Sequence, residues 1–67
     1  MTADNIYQVL MSAQKLRHSI EIFTELENND FFEYPFEFYF ENKDLIVYSD
    51  QAWVQYNLDG IIKIESW

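Results

Sequence analysis

The chain has 67 residues, no cysteine and a formal net charge of −8 at pH 7. This length predicts one domain with a small core, and the lack of cysteine excludes disulfide bonds and cysteine-ligated zinc sites. The acidic charge opposes binding to nucleic acid and to anionic membranes, and it favours basic partners. Since no apolar segment approaches membrane length and no secretory signal pattern is visible, the sequence predicts a soluble, cytoplasmic protein.

The first predicted element is one long helix over residues 3–27, capped by Thr2 or Asp4. Its apolar residues alternate in steps of three and four, which is the spacing of one helix face. They are Ile6, Val9, Ala13, Leu16, Ile20 and Phe23. A helix of this length would span about 36 Å, so it would overhang any short strands beneath it.

Four strands are predicted after the helix, over about residues 35–41, 45–49, 52–57 and 61–66. The short turns that join them are Asn42-Lys43, Asp50-Gln51 and Asn57-Leu58-Asp59-Gly60. The last of these has the pattern of a type I turn followed by a residue in the left-handed region. Gly60 would take that positive φ, because a side chain resists it.

These turns fix one register for the whole segment. Phe38 would lie opposite Val47, Val47 opposite Val54 and Tyr48 opposite Trp53, and the last turn would set Tyr56 opposite Ile62 and Val54 opposite Ile64. One face then collects Phe36, Phe38, Phe40, Leu45, Val47, Val54, Tyr56, Ile62 and Ile64. Because three turns agree on the same buried face, we predict an α+β fold in which the long N-terminal helix packs on a four-stranded antiparallel meander, in the order 1-2-3-4.

Acidic residues concentrate from the last turns of the predicted helix to the end of the first predicted strand. Residues 21–41 contain seven acids and no base. On the predicted helix, the Cβ atoms of Glu21 and Glu25 would lie about 6 Å apart. Successive phosphates of a nucleic acid have a similar order of spacing, so these two carboxylates could take their place. The predicted partner-binding acids are Glu21, Glu25, Asp30, Glu33, Glu37 and Glu41. Solubility alone is the alternative explanation of this charge.

The outer face of the predicted sheet adds Tyr39, Tyr48 and Trp53 to the predicted binding residues. Tyr48 and Trp53 would be cross-strand neighbours flanked by Glu37 and Glu65, and the fourth strand would also place Ile61 and Lys63 on this face. An aromatic centre with a charged rim is typical of protein interfaces, and aromatic pairs also stabilise small sheets. One helix covers only one side of a sheet, so this face would be open to a partner or to a second copy of the chain.

The sequence lacks the patterns that catalysis or cofactor binding requires. Gly60 is the only glycine, which excludes glycine-rich phosphate loops and a nucleophile elbow. His18 is the only histidine and stands between Arg17 and Ser19, where a solvated side chain is expected. No loop has the glycine-containing Asp/Asn pattern of a calcium site. The sequence therefore predicts a protein that is not an enzyme, with no cofactor and no metal.

No family resemblance goes beyond composition. In composition alone, this small, acidic chain with its aromatic sheet resembles phage or mobile-element inhibitors that mimic nucleic acid, and equally acidic antitoxins and immunity proteins. We therefore expect a small inhibitor that occupies a basic site on a target protein, such as a nucleic-acid-processing enzyme, without binding nucleic acid itself. The alternative is an assembly subunit that homodimerises through its aromatic sheet face, and a carrier of a small ligand in the core is a third.

Overall fold

The structure, a computed structural model, describes all residues, 1–67, and contains one helix and six strands. Helix α1 spans Ala3–Leu16. Strands β1 to β6 span Ile20–Thr24, Asn29–Phe32, Glu37–Glu41, Asp44–Tyr48, Trp53–Asn57 and Ile61–Ser66, and a 3₁₀ turn at Leu58–Gly60 joins β5 to β6. The fold is α+β, as the sequence predicts.

The strands form two antiparallel three-stranded sheets. Sheet A has the strand order β2-β1-β6 and sheet B has the order β3-β4-β5. The predicted single meander is therefore wrong in its fourth strand, because β6 leaves β5 and pairs with β1. Ile64 lies opposite Ile22 rather than Val54. Ile62 was predicted to face the core opposite Tyr56, but its side chain is 57% exposed.

Helix α1 ends at Leu16, and the predicted helix over residues 3–27 is wrong beyond that point. Arg17 adopts the left-handed conformation with φ 59°, and the N–H of His18 donates to the carbonyl of Ala13 at 2.8 Å. This arrangement closes the C-terminus of the helix. The following residues alternate in burial instead of following a helical period, and Ile22 in β1 is fully buried.

The start of α1 and its buried face follow the prediction more closely. The hydroxyl of Thr2 accepts a hydrogen bond from the N–H of Asn5 at 3.2 Å, which caps the helix. Ile6 and Ala13 are buried, whereas the last residue of the helix, Leu16, is 62% exposed. Helix α1 lacks the length and the apolar character that a helix needs to cross a bilayer.

The segment before β6 is a 3₁₀ turn rather than a tight hairpin. The side-chain oxygen of Asn57 accepts a hydrogen bond from the N–H of Asp59 at 3.0 Å, and the N–H of Leu58 donates to the carbonyl of Lys43 at 2.9 Å. Gly60 does not have a positive φ, so its predicted role is wrong. The turn directs the chain away from β5, and Ile61, predicted on the outer face, is instead buried in the core.

Sheet B has the predicted register. Phe38 lies opposite Val47, Val47 opposite Val54, and Tyr48 opposite Trp53. Each strand of this sheet begins and ends within two residues of its predicted bounds. The turn between β3 and β4 contains Asn42 with φ 57°, a conformation that Asn tolerates better than most residues.

One cluster of buried side chains joins the helix to both sheets. Its members are Ile6, Leu10, Ala13, Ile20, Ile22, Phe32, Phe36, Leu45, Val47, Tyr56 and Ile61. The ring of Tyr7 meets that of Phe38 edge to face at 6.0 Å, and the side chain of Gln14 donates to the carbonyl of Phe36 at 2.9 Å. These contacts place α1 on the inner side of sheet B, so its other side is left uncovered.

Candidate functional site

Nine side chains form a three-by-three grid on the uncovered side of sheet B, which we call the outer face of sheet B. The strand register sets the rows, which are Glu37, Tyr48 and Trp53; Tyr39, Ile46 and Gln55; and Glu41, Asp44 and Asn57. Neighbouring strands lie about 4.8 Å apart, and alternate residues of one strand lie about 6.7 Å apart. The Cα atoms of the grid therefore cover about 10 by 13 Å.

Three aromatic side chains give this face its apolar part. Trp53 is 60% exposed, Tyr39 is 44% exposed and Tyr48 is 38% exposed. The rings of Tyr39 and Tyr48 meet edge to face at 6.3 Å, which fixes their orientation. Ile46 at the centre of the grid is only 1% exposed and lies outside the main core cluster, so its neighbours on this face cover it. The face thus presents ordered aromatic surface around a buried aliphatic centre.

Three acids and no base share the same grid. Glu41 lies directly opposite Asp44, a position in which like charges destabilise a strand pair. The side-chain amide of Gln55 donates to Asp44 Oδ2 at 2.6 Å. This bond orients the Asp44 carboxylate but leaves its charge uncompensated. The single ion pair of the protein joins Lys63 to Glu65 at 4.0 Å, and it lies on sheet A.

The structure divides the predicted binding residues among three places. Glu37, Tyr39, Glu41, Tyr48 and Trp53 share the outer face of sheet B. Glu25 and Asp30 line a cavity beside the turn between β1 and β2. Glu21 lies on β1 and Glu33 follows β2, and neither belongs to the grid or to that cavity.

The predicted ladder of Glu21 and Glu25 does not form, because its segment is a strand and not a helix. Four residues along a strand span about 13 Å, compared with about 6 Å between the corresponding positions of a helix. Glu21 lies opposite Phe31 and Glu65 within sheet A, whereas Glu25 follows the last residue of β1. These two carboxylates belong to different surfaces.

A hydrogen-bonded pair connects the two sheets behind the grid. The hydroxyl of Tyr56, a residue only 6% exposed, donates to Asp30 Oδ2 at 2.8 Å. Burial raises the pKa of Tyr56 above its ordinary value of 10.0, and the hydrogen bond to Asp30 and the negative charge of that residue act in the same direction. Tyr56 therefore remains protonated at neutral pH and holds one oxygen of Asp30 in place.

Sequence reasoning missed Asp44 and the Tyr56–Asp30 pair. The predicted second strand begins at residue 45, so Asp44 fell into the turn. Extending that strand by one residue would have placed Asp44 beside Glu41 on the outer face of sheet B. The Tyr56–Asp30 contact requires the β1–β2 hairpin, and a helix over the same residues leaves no place for it.

The arrangement of this face is suited to binding by surface contact. Its carboxylates accept hydrogen bonds from basic side chains, and its aromatic rings offer apolar area with little loss of side-chain entropy. The protein brings together no group of three or more His, Asp or Glu side chains that could hold a metal ion. Comparison with known protein families, with curated proteins and with solved structures finds no match to this chain.

Proposed function

We propose that the protein binds a basic surface of a partner protein through the outer face of sheet B, and that it acts as a small acidic inhibitor of that partner. The observation that supports this is the presence of three exposed aromatic residues and three acids, without a base, on one nine-residue grid. Aromatic residues are the usual anchors of protein interfaces. Carboxylates around such anchors select a partner rich in Lys and Arg.

The partner surface that fits this face best is one that holds nucleic acid. Such a surface carries Lys and Arg for phosphates, and aromatic or guanidinium planes for bases. On β3, Glu37 and Glu41 stand about 13 Å apart with Tyr39 between them, so negative charge and an aromatic ring alternate along one strand. A partner occupied by this face would lose access to its nucleic acid.

The test compares two double variants that change the net charge equally. Glu37→Lys with Glu41→Lys alters the outer face of sheet B, and Glu21→Lys with Glu33→Lys alters acids outside it. The parent protein is used to capture partners from the source cell, and these are identified. A partner that the first variant fails to capture is then purified for titration. We expect the first variant to weaken binding about a hundredfold, since juxtaposed like charges cost several kcal/mol, and the second to keep near-parent affinity.

The purified partner then decides between inhibition and simple binding. We expect nucleic acid to compete with the protein for the partner, and the complex to weaken as salt rises, because exposed opposite charges are screened over about 10 Å at 0.1 M. Circular dichroism and a thermal melt of each variant verify that it is folded. Equal loss of binding in both variants, or binding that nucleic acid does not displace, would count against this function.

Homodimerisation through the same face is the second candidate, and the 60% exposure of Trp53 is the observation that favours it. A two-fold dimer places the same patch on both subunits. It would set the acids of one copy near those of the other, with no base on either grid to pair with them. Charge therefore favours the basic partner over the second copy.

Sedimentation at two salt concentrations separates the two candidates. A dimer that buries three acids per copy should tighten as salt screens their repulsion, whereas a complex with a basic partner should loosen. We expect the parent protein to remain monomeric at micromolar concentration at both salt levels. A dimer that disappears in Trp53→Ser would replace the inhibitor proposal with the assembly proposal.

A further inference from the structure

A cavity of about 280 Å³ opens beside the outer face of sheet B, between the β1–β2 turn and strand β5. Its apolar lining comes from Val54 and Tyr56 and from Leu26, whose side chain is 76% exposed at the cavity rim. Glu25 and Asp30 add two carboxylates, and no Lys, Arg or His lines the cavity. The cavity therefore combines apolar walls with hydrogen-bond acceptors that carry negative charge.

The backbone of Glu25 and the side chain of Asp30 are each held by a hydrogen bond. The N–H of Glu25 donates to the carbonyl of Gly60 at 3.0 Å, and Glu25 Oε1 lies 3.9 Å from the position that a Cβ on Gly60 would take. Asp30 Oδ2 is held by the hydroxyl of Tyr56 at 2.8 Å. Neither acid takes part in an ion pair, so a cationic ligand would meet two uncompensated charges, of which that of Asp30 is held in place and that of Glu25 is exposed to solvent.

We propose that this cavity binds the guanidinium group of an arginine side chain. A guanidinium carries five N–H donors in a planar fork and no acceptor, so it complements a lining of carboxylates. It is also more weakly hydrated than an ammonium group, which lowers the cost of moving it between apolar walls. The methylene stem of the arginine would lie along Leu26 and Val54.

The place of the cavity indicates where this arginine comes from. Gln55 and Asn57 line the cavity and are also two of the three β5 residues on the outer face of sheet B. A partner that covers the grid would therefore reach the cavity mouth without a gap between the two surfaces. The source of the guanidinium rests on the proposed function, since the arginine would belong to the same basic partner.

The test uses Nα-acetyl-argininamide as a probe that copies an arginine residue, titrated into the isotope-labelled protein and followed by NMR. Nα-acetyl-citrullinamide has the same shape without the charge, and Nα-acetyl-lysinamide has the charge without the planar fork. We expect saturable shifts of the Glu25, Asp30 and Gly60 amide signals with the arginine probe. The citrulline probe should cause none, and the lysine probe should bind more weakly.

Variants then assign the binding to the cavity. Glu25→Gln should weaken binding of the arginine probe about tenfold or more, as expected when a charge-assisted hydrogen bond is lost, and Glu33→Gln, outside the cavity, should leave it unchanged. Asp30→Asn should also weaken it, and the melt of that variant shows whether replacing the charged acceptor of the Tyr56 bond by a neutral one has affected the fold. Equal binding of the arginine and citrulline probes or of the arginine and lysine probes, or no effect of Glu25→Gln, would overturn the proposal.

The outer-face variant keeps this inference separate from the proposed function. Glu37→Lys with Glu41→Lys leaves the cavity lining intact, so it should bind the arginine probe with near-parent affinity while losing the partner. If the parent protein binds the arginine probe but captures no basic partner, the proposal for the cavity stands and the inhibitor proposal is rejected. If the partner binds Glu25→Gln with the same affinity as it binds the parent, the proposal that an arginine of the partner fills the cavity is rejected.

Discussion

The outer faces of the two sheets differ in whether a base accompanies their opposed acids, which are Glu21 and Glu65 on sheet A and Glu41 and Asp44 on sheet B. On sheet A, Lys63 lies 4.0 Å from Glu65 and 4.6 Å from the ring centre of Phe23, so a base stands among the acids and aromatic residues of that surface. On sheet B, Glu41 and Asp44 lie opposite each other, and the grid contains no base. A face whose acidic charge is offset by a base on the same face suits exposure to water alone. A face whose acidic charge is not offset suits binding to a partner that supplies the positive charge.

The sheets also differ in how the chain assembles them. Sheet B joins three consecutive strands through short turns, so all its pairings are local. Sheet A needs β1 to pair with β6, and this sets Ile20 opposite Ser66, almost at the end of the chain. Such a pairing carries a larger entropic cost of closure, which local contacts do not offset. We therefore expect core substitutions in β1 to be among the most damaging in the protein.

The largest expected effect is that of Ile22→Ala, at the centre of sheet A. Ile22 is fully buried and pairs with both Asp30 and Ile64. Truncation of such a side chain costs about 2–5 kcal/mol of unfolding free energy, which is a large share of the stability of a small domain. Urea unfolding measures the loss.

Ile62→Ala is the matched control for Ile22→Ala, because it removes the same atoms from the same sheet at a position that is 57% exposed. We expect it to change the unfolding free energy by less than about 0.5 kcal/mol. Similar losses in the two variants would contradict the assignment of Ile22 to the core and of Ile62 to the surface.

The same contrast between local and distant pairing explains what the sequence could predict. The register of sheet B was predictable because short turns fix it, and Tyr48 opposite Trp53 follows from counting residues outward from Asp50-Gln51. With that register, five of the nine predicted binding residues were correctly placed on one face. Nothing local to β6 indicates that Ile64 meets Ile22, since the two lie far apart in sequence.

The helical prediction failed where the apolar residues fit both the period of a helix and the alternation of a strand. Ile20 and Phe23 continue the three-four spacing of α1, while Ile20 and Ile22 fit the alternation of a strand equally well. Tertiary pairing decides between them, because β1 gains partners on both sides in sheet A. The same error prevented prediction of the cavity beside Asp30 and Tyr56, since that cavity forms only when β2 folds back on β1.

The next effect concerns the hydrogen bond that joins the two sheets. Tyr56→Phe removes the donor to Asp30 and should lower the unfolding free energy by about 1.5 kcal/mol at neutral pH, the scale for a bond to a charged group. Because the pKa of Tyr56 is raised in the folded state, its contribution is complete below its ordinary value of 10.0 and is lost as pH rises above it. The advantage of the parent over Tyr56→Phe should therefore narrow above pH 10.0.

Urea unfolding of the parent and of Tyr56→Phe at neutral pH and above pH 10 measures both parts of this prediction. Comparison with the variant removes the contribution of the other tyrosines, which both proteins share. An advantage that stays constant or widens at high pH would mean that the Tyr56 hydroxyl is not held in its protonated form by the fold.

A smaller effect is expected where the chain passes from sheet B to sheet A. Gly60 lacks a positive φ, and a Cβ added there would lie 3.9 Å from Glu25 Oε1, which is ordinary contact. Gly60→Ala should therefore stabilise the protein by about 0.4–1 kcal/mol, by restricting the unfolded chain. Asn42→Ala is the contrasting variant and should destabilise it, because residue 42 has φ 57°. Thermal melts of the two variants that shift in the same direction would contradict this assignment of the two turns.

The smallest expected effect returns to the charges of the two outer faces. Glu41→Lys converts the cross-strand pair with Asp44 from like to opposite charges, which should raise the unfolding free energy by about 0.2–1 kcal/mol at low salt. Glu21→Lys on sheet A should gain less. Its cross-strand neighbour Glu65 already pairs with Lys63, and the new lysine would lie diagonally from Lys63. Thermal melts at low and high salt measure both gains.

If Glu41→Lys stabilises the fold while it weakens partner binding, the parent residue is retained at a cost to stability, as expected for a binding site. If Glu21→Lys gains as much as Glu41→Lys, the two faces do not differ in charge compensation.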